Sequence, residues 1–369
     1  MNTPFSSMNA WARAWVPPVP ARPKIMVETH AFGSNPGNLR MFSHVPAGLK
    51  MPAPLVVVLH GCTQTAEAHA EAAGWLALAA RFGFAVLAPE QRPANNPSRC
   101  FNWFETGDAA RGCGEAASIR TMIACMTAQH DIDAGRIFIT GLSSGGAMTS
   151  AMLAAYPEVF AGGAIIAGLP HGAADSVQSA LQAMRGRGPF DDPQYGAPPC
   201  EPSAGARAPR VTVWHGDADR TVHAVNAERI ARQWTHAHAL SFEAGERETL
   251  DRIERTVWRD PATGESVVET NIVRGLGHGT PLSTFDEAGA GSVAPFMIEA
   301  EISAVLEVAR FWGLQRPPAP EAATARGGRA STAAPLDLGD TIMASLAGQV
   351  TKGAEAHIAR ALRQAGLMR

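Results

Sequence analysis

The chain has no apolar run approaching the thickness of a bilayer, which excludes a helical membrane span. It has no surplus of positive charge either. Its 31 lysines and arginines stand against 34 aspartates and glutamates, a net charge of −3, so no electrostatic attraction to nucleic acid is expected. Cysteine is scarce: the five (Cys62, Cys100, Cys113, Cys125 and Cys200) are read as mostly reduced, with a Cys100–Cys113 bridge as the open alternative. Residues 1–22 hold Trp11, Trp15 and several prolines but no continuous apolar segment. No secretion signal is recognisable there, and a cytoplasmic location is expected. Internal repeats are lacking. The remaining composition, 46% hydrophobic and 18% charged over 369 residues, suits a globular protein with a sizeable core.

The chain is organised around residues 136–147, Arg-Ile-Phe-Ile-Thr-Gly-Leu-Ser-Ser-Gly-Gly-Ala. After Arg136, Ile-Phe-Ile-Thr is short, mostly β-branched and apolar, as in a buried parallel strand. Gly141-Leu142-Ser143-Ser144-Gly145 then fits Gly-x-Ser-x-Gly, and Met148, Met152, Ala155 and Tyr156 continue at helical spacing. Strand, tight turn and helix are the context of a nucleophile elbow, whose turn lifts the serine hydroxyl clear of the sheet. Gly141, Gly145 and Gly146 supply the small flanking residues such a turn needs.

Other strands are read at residues 24–32, 39–45, 55–59, 84–87, 161–167 and 211–214, with a hairpin from 256–258 and 267–273. Helices are expected at 66–82, 115–130, 222–236 and 295–311. This alternation predicts an α/β class protein, a mostly parallel sheet covered on both faces. Residues 89–114 form a long polar loop, and 168–209 an excursion over the sheet. The expected organisation is an irregular segment over residues 1–23, a catalytic domain over 24–315, a Pro-, Ala- and Gly-rich linker over 316–335 and a helical tail over 336–369.

A serine hydroxyl needs a general base, and the base needs an acid. After an elbow serine the chain order is nucleophile, acid, histidine. His278 follows the last core strand between Gly277 and Gly279, in a loop free to bend over the strand ends. Asp217 and Asp219 both follow the strand at 211–214. Asp219 has the offset at which an acid clears the strand, whereas Asp217 sits in the tight turn, where it bonds backbone amides. The candidate triad is Ser143, Asp219 and His278. Oxyanion donors are expected from the backbone amides of Ser144 and of Cys62, in the loop after the strand at 55–59. The Cys62 thiol itself is read as buried and inert, and His60 and His215 as satisfied structural histidines. Phe101, Trp103 and Phe104 either wall a substrate pocket or form a small core pinning the long loop; Trp103 is singled out because indole lines apolar sites. Neither metal nor cofactor is expected.

Together, Leu59-His60-Gly61-Cys62-Thr63-Gln64, Cys100-Phe101-Asn102-Trp103-Phe104, the serine motif, His215-Gly216-Asp217-Ala218-Asp219 and Gly277-His278-Gly279-Thr280-Pro281 resemble the esterase, polyhydroxybutyrate (PHB) depolymerase family of α/β-hydrolases. The resemblance covers residues 24–312. It implies the α/β-hydrolase fold, Ser143, Asp219 and His278 as triad, and Cys62 as oxyanion donor. The implied substrates are short-chain hydroxyalkanoate polyesters or oligomers, or simple carboxylic esters. Related families cleave feruloyl and acetyl esters of plant polysaccharides, and many relatives are secreted, which makes an extracellular location the alternative. From a different class stands a granule-binding protein that keeps the fold without turnover; the intact set of catalytic residue types favours the enzyme.

In the tail, Leu338, Ile342, Leu346 and Val350, then Ala354, Ile358 and Leu362, make two helical stripes with Lys352, Arg360 and Arg363 off them. Such a segment either docks on a polymer granule or membrane, or packs on the catalytic domain or a second subunit. The oligomeric state is not legible in the sequence.

Overall fold

The computed structural model describes residues 25–188, 208–285 and 290–315. The expected N-terminal segment, linker and tail, and Cys200, lie outside the described residues. In chain order the elements are β1 (Val27–Thr29), β2 (Arg40–His44), β3 (Ala53–Leu59), α1 (Ala66–Ala72), α2 (Trp75–Phe82), β4 (Ala85–Glu90), α3 (Thr106–Ala109), α4 (Gly114–Gln129), β5 (Ile132–Leu142), α5 (Ser144–Ala155), β6 (Gly162–Ile166) and α6 (Val177–Met184). They continue with β7 (Arg210–Gly216), α7 (Val225–Ala237), β8 (Glu246–Leu250), β9 (Ile253–Arg259), β10 (Ser266–Val273), β11 (Thr280–Leu282), β12 (Met297–Glu299) and α8 (Ala304–Phe311).

Ten strands form one sheet in the order β1-β2-β4-β3-β5-β6-β7-β10-β9-β8. From β4 to β10 every pairing is parallel, and antiparallel strands extend both edges. Strand alternation divides the core in two. Leu55, Val57 and Leu59 of β3 face α4, α5 and α7 through Ile119, Met122, Met148, Met152, Ile230 and Trp234. Val56 and Val58 face α1, α2 and α8 through Ala70, Trp75, Leu78, Val305 and Val308. Neither face of the central strands meets water, which explains their continuous apolar runs.

Three expectations change. The helix over 66–82 is two helices broken at Gly74, whose φ of 96° no other residue adopts without strain. The helix over 295–311 is only α8, with β12 before it pairing with β11 in a separate two-stranded sheet. Edge strand β8, Glu-Arg-Glu-Thr-Leu, was not expected. All its residues are exposed, so it has no apolar alternation to read, and its charges blunt the sheet edge. No helix among the described residues is long and apolar enough to cross a membrane.

The long loop after β4 hangs on one buried carboxyl. Glu115, at the start of α4, accepts the Asn102 amide at 2.9 Å and the side-chain amide of Gln91. Gln91 also donates to the Cys100 carbonyl at 3.1 Å and accepts from Asn95 at 2.7 Å. Burial, reinforced by the neighbouring Asp108 and only partly opposed by the Asn102 and Gln91 hydrogen bonds, pushes Glu115 up to about 8 from its ordinary 4.5. Between those values the folded protein keeps a proton that the unfolded chain has released, so stability falls as pH rises. Desolvation holds His60, His69 and His171 neutral and contributes the opposite slope below about pH 6.5, so the comparison is with Glu115→Gln. Relative to that variant, the wild-type Tm should fall from about pH 5 to about pH 8. An unchanged slope in the variant would mean that another group titrates.

Candidate active site

Three neighbouring strand ends supply the site. Ser143 lies between the end of β5 and the start of α5 with φ 57° and ψ −117°, a strained conformation for a non-glycine residue. Its amide donates to the Ile166 carbonyl at the end of β6, at 2.9 Å. The turn is close-packed: a Cβ on Gly145 would lie 2.4 Å from the Leu59 carbonyl oxygen and 2.5 Å from that of His60. The small residues expected around the serine are thus required by backbone contact with the β3 end.

His278 sits in the loop after β10. Its Nε2 is 2.9 Å from Ser143 Oγ, and its Nδ1 is 2.7 Å from Asp219 Oδ2. The carboxylate can only accept, so Nδ1 carries the proton and Nε2 is left to accept from the serine hydroxyl. Asp219 is buried in the loop after β7, and its Oδ1 accepts the amides of Thr221 at 2.8 Å and Val222 at 2.9 Å. Burial alone would push this carboxyl up. Hydrogen bonds from His215, His278 and the Val222 amide, with the charge of His278, outweigh it and hold Asp219 well below the usual carboxylate range. Asp217 does other work. Its Oδ1 accepts the Gly275 amide at 2.6 Å, which ties the histidine loop to the turn after β7.

Ser144 opens α5, so its amide has no partner within the helix. Across from it, Cys62 follows β3, and its Sγ is 3.4 Å from Ser144 Oγ. Cys62 is not an inert thiol. It is joined to Cys100 in a disulfide, while Cys113 and Cys125 are free. The reduced reading holds for Cys113 and Cys125 and is corrected for Cys62 and Cys100, and the Cys100–Cys113 alternative is corrected; a spacing of 38 residues carries no signal that two loops meet in space. The bridge clamps the Cys62 loop to the loop hung on Glu115. His60 adds a second restraint: its Nδ1 donates to the Gly61 carbonyl at 2.8 Å and its Nε2 accepts the Gln91 amide at 3.1 Å. The Gly61 carbonyl and the Cys62 N–H share one rigid peptide plane, so holding the first fixes the direction of the second.

The three aromatics separate. Phe101 is wholly buried against His60, ring centroids 5.0 Å apart, and offers no surface to a substrate. It belongs to the core pinning the loop. Trp103 is half-buried, meets Phe104 edge-on at 5.6 Å, and packs against a small cluster of Ala147, Leu169, Ala173, Ala183 and Val222 beside the serine. Phe296 was missed: its partly exposed ring stands edge-on to His278 at 6.1 Å. Only the fold of residues 290–300 brings it there, and its local sequence carries no signal.

Known proteins resemble this chain in sequence and in fold. A family model described as "Esterase PHB depolymerase" matches residues 41–255. The chain is 40% identical to poly(3-hydroxyalkanoate) depolymerase C of Paucimonas lemoignei over 78% of this chain and 70% of that protein. It is 31% identical to acetylxylan esterase A of Aspergillus oryzae over 67% of this chain and 81% of that one. Among solved structures, an acetyl xylan esterase from Aspergillus awamori superposes with a TM-score of 0.64 at 22% identity, covering 78% of this chain and 99% of that one. That likeness is one of fold, the α/β-hydrolase fold.

The close packing of the serine turn is testable. Gly145→Ala should lower stability by roughly 1–3 kcal/mol in thermal unfolding, as overpacking against backbone does. Gly277→Ala, where an added methyl meets nothing within 4 Å, is the control. Equal stability of the two variants would show that the turn has room to relax.

Proposed function

The chain belongs to the esterase PHB depolymerase family, and from that membership we propose that Ser143, His278 and Asp219 are its catalytic triad and that its substrates are short-chain polyhydroxyalkanoate polyesters or their oligomers. Ester hydrolysis is the activity common to the relatives, and this chain is a carboxylic ester hydrolase. The observation that carries the assignment is the unbroken pair of hydrogen bonds Asp219–His278–Ser143.

In the proposed cycle, Ser143 Oγ attacks the ester carbonyl carbon as its proton passes to His278 Nε2. Asp219 stabilises the resulting imidazolium through Nδ1–H. The carbonyl oxygen, now an oxyanion, takes hydrogen bonds from the amides of Ser144 and Cys62. Collapse of the tetrahedral intermediate breaks the ester C–O bond. The proton on Nε2 goes to the leaving alkoxide, and the acyl group stays on Ser143. Water then attacks the acyl-enzyme with His278 again as base, which releases the acid and restores the serine. Trp103, Phe104 and Phe296 are the side chains proposed to meet the acyl and alcohol portions.

The identity to a polyhydroxyalkanoate depolymerase, higher than that to the acetylxylan esterase, favours a polyester over a carbohydrate ester. The Cys62–Cys100 disulfide supports an oxidising compartment, hence the extracellular rather than the cytoplasmic expectation. Binding of a polymer granule by residues 336–369 stays a proposal from their amphipathic pattern.

Ser143→Ala should fold normally and lose roughly 10³-fold or more in kcat on a butyrate ester. Most of the activity persisting would overturn the triad. Measured against amorphous polyhydroxybutyrate film, acetylated xylan and methyl ferulate, the wild-type enzyme should prefer the film; preference for xylan or ferulate would reassign the substrate. Deleting residues 336–369 should leave soluble-ester turnover intact and weaken sedimentation with granules. Unchanged sedimentation would dismiss the tail as the docking element.

A further inference from the structure

Besides Ser143, His278 and Asp219, one fully buried side chain reaches the reacting machinery from within the sheet. His215 is the penultimate residue of β7, with no exposed side-chain surface. Its Nε2 is 2.8 Å from the Val222 carbonyl oxygen and 3.4 Å from Asp219 Oδ2. Both oxygens can only accept, so the ring proton facing them is on Nε2. The Val222 amide in turn donates to Asp219 Oδ1 at 2.9 Å. Val222 is thus gripped on both sides of its backbone, by Asp219 through its N–H and by His215 through its carbonyl.

Resting on the triad assignment above, we infer that His215 is a positioning residue for the acid: it holds the Asp219 carboxylate and the turn through Val222 so that Oδ2 faces His278. The groups facing that carboxylate are His278 Nδ1, His215 Nε2 and the amides of Thr221 and Val222. The two amides hold Oδ1, and one of them belongs to Val222, whose carbonyl His215 anchors. Without His215, Oδ2 keeps only His278 and the Val222 turn loses its anchor, so the turn and the planar carboxylate it holds can shift together. Packing does not account for the choice of residue. The other ring nitrogen, Nδ1, is buried with no hydrogen-bond partner, a cost that an aliphatic side chain of similar size avoids. What the imidazole provides in return is the Nε2 proton at a site where two acceptors converge.

The test compares His215→Leu, which has no donor, with His215→Gln, whose amide reaches the same carbonyl. Each is made in the wild-type and Asp219→Asn backgrounds and assayed on p-nitrophenyl butyrate, with near-UV circular dichroism and Tm reporting the fold. His215→Leu should lower kcat on the order of 10²-fold, the cost of a misplaced catalytic group, with KM unchanged because His215 does not touch substrate. His215→Gln should recover most of that loss. In the Asp219→Asn background His215→Leu should cost nothing further, because what it positions is already disabled. A folded His215→Leu enzyme with wild-type kcat, or an equal loss in both backgrounds, overturns the inference. Full activity of Asp219→Asn alone overturns the triad, and the role of His215 with it. If His215→Leu fails to fold, 15N chemical shifts of the wild-type imidazoles decide: the His215 proton must be on Nε2, and a proton on Nδ1 refutes the proposal.

Discussion

Everything near the site serves two hydrogen bonds to one imidazole. His278 must face a carboxylate with Nδ1 and a hydroxyl with Nε2, from three stretches of chain far apart in sequence. The sheet solves this by register. Leu142, the residue before Ser143, pairs with Ile166 of β6, which pairs with Trp214 of β7. Gly216 of β7 pairs with Val273 at the end of β10. The three loops carrying Ser143, Asp219 and His278 therefore leave the sheet at the same level, on nearby strands. A slip of one residue would exchange the side chains packed on the two faces, so both close-packed cores would have to be refilled; that fixes the level.

Two buried polar systems hold the loops above this edge. On the acid side, Asp217 ties down Gly275 and His215 closes the turn around Asp219. On the other side, the Cys62–Cys100 bridge, His60 and Glu115 link the loop after β3 to the loop after β4. Burying such groups is costly unless each has its partner, so both systems are nearly closed. Glu115 shows the residual cost, with a carboxyl driven up to about 8, and the Nδ1 of His215 shows another.

Much of this was legible beforehand. The strand, turn and helix around Ser143 announce themselves locally, and the order serine, acid, histidine then selects Asp219 and His278. The geometry joins these three residues and leaves Asp217 bonded to a backbone amide, as its place in the turn suggested. The rest depends on contacts that no local pattern encodes. The partner of Cys62 lies in a separate loop, the burial of Phe101 follows from where that loop folds, and Phe296 reaches His278 only through tertiary structure. His60-Gly61 and His215-Gly216 were visible as a repeated strand-end pair. His60 is satisfied at both ring nitrogens, as expected; His215 is not, since its Nδ1 has no partner, and which backbone groups the two hold was not readable.

The central claim is that Ser143 carries the acyl group. Acid quenching during turnover of p-nitrophenyl butyrate, followed by peptide mass spectrometry, tests it directly. The account predicts a butyryl group on Ser143 itself, absent from the enzyme without substrate. An acyl group on another residue, or rapid turnover with Ser143 blocked by a serine-directed phosphonate, would contradict it.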